Sequence, residues 1–221
     1  MPVGIVVHLE KFAETRKHPV VTEMLQRKWN IAVLNPRGVG ELSPANNQIA
    51  SAADHNTAEW GLWSGKPLLG GWTWDALRLL KVIEEWKVAS EVPRMLIGLE
   101  QGGVCALSAG IFAEGVASVG VWNGLASYVS ETPYVGQLIG SMVTGILKDV
   151  GDIPTLAGLV KAPVLSFAGG RRGGGESLSK TDLEQSFNIS GRLRDGAVSR
   201  LRIEEPENPA EWLESLTGKS G

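Results

Sequence analysis

The chain has 221 residues, 43% of them hydrophobic, enough apolar material for one full core and too little for two comfortable ones, so a single domain over 1–221 is expected. Twenty-one basic against twenty-four acidic residues leave a net charge of -3 without long single-sign runs, which argues against nucleic acid or an anionic membrane as partner. The lone cysteine, Cys105, excludes an internal disulfide, and three histidines are too few for a zinc cluster, so neither a metal nor a cofactor is expected.

In chain order, the first apolar run, at 3–7, ends at His8 and Glu10 and is too short for a signal h-region or a membrane span. A cytoplasmic chain is the expectation. Short apolar runs at 3–7, 30–34, 94–98, 116–122, 164–168 and 199–203 alternate with segments of helical spacing at 18–27, 72–86, 102–114, 137–148, 180–193 and 209–216. Buried parallel strands between two helical layers give this pattern, so the fold class is α/β, with a mostly parallel sheet of about six strands. In 72–86, Trp72, Ala76, Leu79, Leu80 and Ile83 form one stripe, with Asp75, Arg78 and Lys81 off it, which lays this helix flat on the sheet. The glycine-rich stretch at 169–175 (GGRRGGG) reads as a flexible surface loop; it lacks the lysine and hydroxyl residue of a phosphate-binding loop.

The segment at 94–110, RMLIGLEQGGVCALSAG, carries the most chemistry. An apolar strand, a glycine-rich tight turn and a helix of small residues make up the pattern G-x-nucleophile-x-G, here Gly98-Leu99-Glu100-Gln101-Gly102. Glu100 occupies the position of the nucleophile.

On these residues, together with VVHLEKFAETRKHPVVTEMLQRKWNIAVLNPRGVGE and SGKPLLGGWTWDALRLLKVIEEW, the chain resembles the α/β-hydrolases, most of all acetyl-xylan-esterase-like and dienelactone-hydrolase-like ester hydrolases. The likeness spans most of 3–205 but begins one hairpin late, leaving the two antiparallel strands that open the fold without counterpart. It implies an oxyanion loop after the first strand, with backbone N–H groups of Leu9 and Gln101 as the anion donors, and a pocket bordered by His8, Glu10, Asn35, Arg37, Gly98 and Gly102. It also implies a serine, an acid and a histidine at three strand ends. This sequence has Glu100 at the first, Gly169, Gly170 and Arg171 at the second, and Glu204-Glu205-Pro206-Glu207 at the third; no histidine follows His55.

Other residues divide between structure and contact. His8 reads as an anchor of the loop after the first strand, His18 as a helix-start residue, His55 as part of a long loop and Cys105 as core. Arg37 reads as a residue that holds loops together. Trp60, Trp63, Trp72 and Trp74 crowd into fifteen positions; helical spacing buries Trp72, while Trp60 and Trp63 fall in a glycine-containing loop, as a buried anchor or as a contact surface for sugar rings or a protein.

Two functional readings remain open. The first is a degenerate hydrolase fold, non-catalytic or nearly so, binding a small molecule or partner; the second is an active carboxylic-ester hydrolase whose rearranged catalytic set uses Glu100 with His8 or His55. Without the opening hairpin, 30–34 becomes a sheet edge, apolar on both faces, and pairing with a second copy or a partner protein is expected there.

Overall fold

The computed structural model describes residues 1–86, 92–194 and 200–217. Along the chain run β1 (Val3–Val7), α1 (Phe12–Lys17), α2 (Pro19–Gln26), β2 (Asn30–Leu34), α3 (His55–Trp63), α4 (Leu68–Glu85), β3 (Arg94–Leu99), α5 (Gly102–Phe112) and β4 (Ser118–Leu125). They are followed by α6 (Ile146–Asp149), α7 (Ile153–Leu159), β5 (Val164–Arg171), α8 (Lys180–Ser186), α9 (Asn188–Arg194), β6 (Arg200–Glu204) and α10 (Pro209–Leu216). The six strands form one sheet in the order β2-β1-β3-β4-β5-β6, every neighbouring pair parallel.

Side chains along each strand alternate between two cores, the expected consequence of a period of two in a sheet covered on both faces. Ile5, Val7, Leu96, Val119 and Val121 pack with Trp72, Ala76 and Leu80 of α4 and with Ala106 and Leu107 of α5. Val6, Met95, Ile97 and Trp122 face the other way, against Val20, Val21 and Met24 of α2 and Trp212, Leu213 and Leu216 of α10. β2 has a ladder partner on one side only among the described residues, so it is a sheet edge, and Asn30 through Val33 are half-buried.

The predicted strands at 3–7 and 30–34 coincide with β1 and β2, and β3, β4 and β5 run further than expected at their C-terminal ends. The predicted last strand is β6; Ser199, its expected first residue, lies outside the described residues. Four expectations need correction. The stretch at 137–148 is not one helix but a 3-10 turn over Ile139–Ser141 followed by the short α6. Gly140 lies so close to α4 that a Cβ there would sit 2.7 Å from the Trp72 ring and 2.8 Å from Leu68, and Gly145 takes φ +83°, which together break a helix. The segment at 180–193 splits at Phe187 into α8 and α9. Residues 55–63, expected in a loop, are the helix α3, so Trp60 and Trp63 stand on a helix, 56% and 74% exposed. Finally, 169–175 is not a loose loop: β5 continues through Arg171, and a tight turn closed by the Gly175 N–H to the Arg172 carbonyl (2.9 Å) brings Ser177 back to bridge Arg171.

Asp54 explains much of the order in the long connections. Fully buried just before α3, it accepts the Ile139 N–H at 2.9 Å and the Gly140 N–H at 2.7 Å, so its side chain caps the 3-10 turn across 85 residues of sequence. Asp54→Ala would strand two buried donors and is expected to lower stability by about 3 kcal/mol, at roughly 1.5 kcal/mol per hydrogen bond to a carboxyl group. Urea denaturation reads this directly, and a loss below about 0.5 kcal/mol would mean that water replaces the side chain without cost.

Candidate functional site

The junction between β3 and α5 is sharply bent at a single residue. Glu100 adopts φ +49°, a left-handed conformation that costs a residue with a side chain roughly 1–2 kcal/mol. Its N–H donates to the Trp122 carbonyl (2.7 Å) and its carbonyl accepts the Gly103 N–H (3.0 Å), which pins the bend between β4 and α5. The flanking glycines are required by contact: a Cβ on Gly98 would lie 2.6 Å from the Gly103 Cα and 2.8 Å from the Ala106 Cβ, and one on Gly102 would overlap the Val7 carbonyl. Thus the first turn of α5 rests directly on the end of β1, and Glu100 is lifted to an exposed position above the sheet.

Beside Glu100 lies a cleft of about 260 Å³ bordered by Gln101, Asn123, Leu125, Gln137 and Arg171, with Val135, Gly136 and Gly175 completing it. One wall is the strap at 129–138. Gln101 latches it with both amide atoms, its Nε2 donating to the Gly136 carbonyl (2.6 Å) and its Oε1 accepting the Leu138 N–H (2.5 Å). From the other side the Val135 N–H donates to the Gly173 carbonyl (2.9 Å), and the Tyr134 ring packs where a Gly173 Cβ would be. The floor is distorted, since Asn123 and the facing Gly169 both take positive φ (+51° and +65°) and leave the β4–β5 register interrupted between Trp122 and Gly124.

Of the residues expected at the site, Glu100 and Gln101 line this cleft, and Gly98 and Gly102 shape the bend. Among the described residues the N–H groups of Leu9 and Gln101 donate to no protein acceptor. His8 and Glu10 do not line the cleft, but both feel the charge of Glu100. Burial pushes the His8 imidazole below its ordinary pKa while the Glu100 charge pulls it up; Glu10 is raised by burial and then by Glu100 and Glu14. The Thr15 hydroxyl donates to the Lys11 carbonyl (3.2 Å), so in its 2.9 Å contact with His8 the Nδ1–H is the donor and Nε2 carries the lone pair. His8 thereby ties the end of β1 to α1, where an anchor of the loop between them was expected. Asn35 faces Gly40 near the Glu10 carbonyl, and Arg37 forms a bidentate pair with Asp75 of α4 (2.9 and 2.5 Å) while its carbonyl accepts the Trp72 indole N–H. Neither borders the cleft; Arg37 ties the turn after β2 to α4 rather than one loop to another.

The other expected positions are equally plain. His55 opens α3 beside the Asp54 cap, its Nδ1 buried and 3.9 Å from Glu59, and is not on a swinging loop. Cys105 is fully buried and its thiol is pushed far up by burial, then by Asp75, which makes it core. At the end of β6, Glu204 accepts from the Ser166 hydroxyl (3.1 Å), which in turn accepts the Trp212 indole N–H (2.9 Å), so its carboxyl is held toward α10. Asn123, Gln137 and Arg171 were missed as site residues. The signal for Asn123 was the Asn-Gly pair inside an apolar strand, a dipeptide that marks positive φ.

No protein-family profile matches the chain, and no curated protein does. Solved structures do. A Bacteroides fragilis NCTC 9343 protein assigned as an acetyl xylan esterase superposes with a TM-score of 0.65 at 12% identity, over 93% of this chain and 59% of that one. A carbohydrate esterase family 15 glucuronoyl esterase from Teredinibacter turnerae T7901 gives 0.56 at 14% identity, over 98% and 65%. Acetyl xylan esterase 1 from Thermoanaerobacterium sp. JW/SL YS485 gives 0.56 at 13%, over 93% and 68%. The chain therefore spans about two thirds or less of the length of the first two, and likeness at this identity establishes the fold.

Proposed function

With the α/β-hydrolase fold as its scaffold, we propose that this chain is a non-catalytic or nearly inactive relative of ester hydrolases that uses the cleft beside Glu100 to bind a small molecule. The observation that carries this reading is the bend itself. It retains left-handed strain and two contact-restricted glycines, yet presents a carboxyl group where an activated hydroxyl would attack. The strand ends that would supply an acid and a histidine hold Arg171 and Glu204, the first bordering the cleft and the second bonded away from it.

Hydrolysis of p-nitrophenyl acetate by the wild type is expected to be no faster than by Glu100→Ala. Glu100→Ser is expected to give no acyl-enzyme burst, because a hydroxyl without a base stays protonated near neutral pH; combining it with Glu204→His or Glu205→His is what competence would require. A second reading, an ester hydrolase built on Glu100 and His8, draws support from the unprotonated His8 Nε2 and its coupling to Glu100. It requires the opposite result, a wild-type rate that falls by about 10²–10⁴-fold in both Glu100→Ala and His8→Gln.

The open edge of β2 supports pairing with a second copy of the chain. Light scattering at micromolar concentration is expected to show a dimer; a monomer whose amides at 31–34 exchange slowly would overturn this.

A further inference from the structure

The cleft holds two opposite charges that do not meet. Glu100 and Arg171 both border it, and among the described residues neither forms an ion pair with the other or with any third group. Some charged side chains elsewhere on the surface do pair: Arg37 with Asp75, Arg27 with Glu23 and Glu214, and Lys81 with Glu84. The same cleft is bordered by two amide side chains, Asn123 and Gln137, and by the apolar Leu125 and Val135. The strap's double latch on Gln101 fixes the wall that carries Val135 and Gln137, so the spacing of these groups is built into the fold.

We propose that the cleft binds a small zwitterion with an apolar side chain, an aliphatic α-amino acid or a compact molecule of that chemistry. The planar guanidinium of Arg171 would receive the carboxylate through two parallel N–H bonds, and Glu100 would accept from the ammonium group. Leu125 and Val135 would cover the side chain. The volume, about 260 Å³, lies below the roughly 300–1,000 Å³ of sites for drug-sized ligands, which selects against an oligosaccharide lying wholly within it. This inference rests on the reading of the cleft as a binding site and names what it binds.

L-Leucine is the probe, titrated calorimetrically into the full chain beside N-acetyl-L-leucine, which keeps the carboxylate, and L-leucinamide, which keeps the ammonium. Leucine is expected to bind in the millimolar range or tighter, with each half-analogue at least about tenfold weaker. Arg171→Gln is expected to weaken leucine to the level of leucinamide and leave leucinamide unchanged; Glu100→Gln is expected to do the converse with N-acetyl-leucine. Melting temperatures of both variants confirm folding, and the wild-type comparison of the three ligands stands without them. Equal binding of all three, or no heat from leucine at tens of millimolar, would overturn the proposal. Ester turnover alongside leucine binding would sink only the non-catalytic reading, whereas absent turnover with absent binding would sink only this one.

Discussion

Gly102→Ala is expected to leave little folded protein, with a loss of about 3 kcal/mol or more, a large share of the 5–15 kcal/mol that holds a domain together. The methyl group would overlap the Val7 carbonyl, which is backbone at the end of β1, a strand paired on both sides, so neither partner can move as a flexible side chain would. Gly98→Ala meets backbone on α5 at 2.6 and 2.7 Å and is expected to be nearly as severe. The residue between them should behave oppositely. Glu100→Gly relieves a left-handed penalty of roughly 1–2 kcal/mol, offset in part by the ~0.5–1 kcal/mol that glycine's freedom in the unfolded chain costs, so it is expected to be neutral to mildly stabilising. Urea midpoints at constant m-value read all three. A Gly102→Ala midpoint close to wild type would mean that α5 does not sit on β1 as described, and a destabilised Glu100→Gly would mean that the Glu100 side chain contributes more to folding than its strain costs.

That contrast bears on function. A strained residue is kept only where the surrounding structure over-determines it, and here Trp122, Gly103 and the β1 end do so. The bend is therefore held by its surroundings rather than by the side chain at its apex.

The inner strands were legible because they are buried on both faces: Val3–Val7, for one, carries no polar residue and lies between Pro2 and His8, so its ends are set by composition. The failures have one physical origin, long-range partners that override local spacing. Residues 137–148 carry apolar positions at helical intervals, but Asp54, far away in sequence, takes the N–H groups at 139 and 140, and close packing against Trp72 demands a glycine in the middle. Residues 169–175 looked flexible because glycines permit many conformations; Tyr134 and Glu176 select one. At the site, the bend and its glycines could be read from spacing alone, since each has a local reason. Arg171 could not be placed in the cleft, because only the pairing of β4 with β5 sets it opposite Leu125.

Acid is expected to destabilise the fold well above the pH at which ordinary carboxyl groups titrate, through the neighbouring histidines His8 and His18. His8 and His18 meet edge to face with ring centroids 5.5 Å apart. His18 caps α2, its Nδ1 accepting the Val20 N–H at 3.3 Å, so a proton at that nitrogen destroys the cap. Burial, and then the neighbouring His8, lowers its pKa from 6.5 to about 4, while burial outweighs Glu100 in lowering that of His8. Both folded values lie below the unfolded one, so the unfolded chain binds protons more readily. The contribution is complete above pH 6.5 and is lost as the pH falls from there toward about 4. At about 1.4 kcal/mol per unit the His18 shift sets an upper bound of roughly 3 kcal/mol, reduced by its partial exposure to solvent. Glu100 acts on His8 and moderates the loss, since a carboxylate beside a newly charged imidazole stabilises it. His18→Asn keeps a capping acceptor and removes the titration, and it is expected to flatten the stability profile between pH 6.5 and 4 while leaving stability at pH 7.5 nearly unchanged. A profile as steep in His18→Asn as in the wild type would place the acid sensitivity elsewhere in the fold, whereas a residual slope that disappears only when His8→Gln is added would divide it between the two rings.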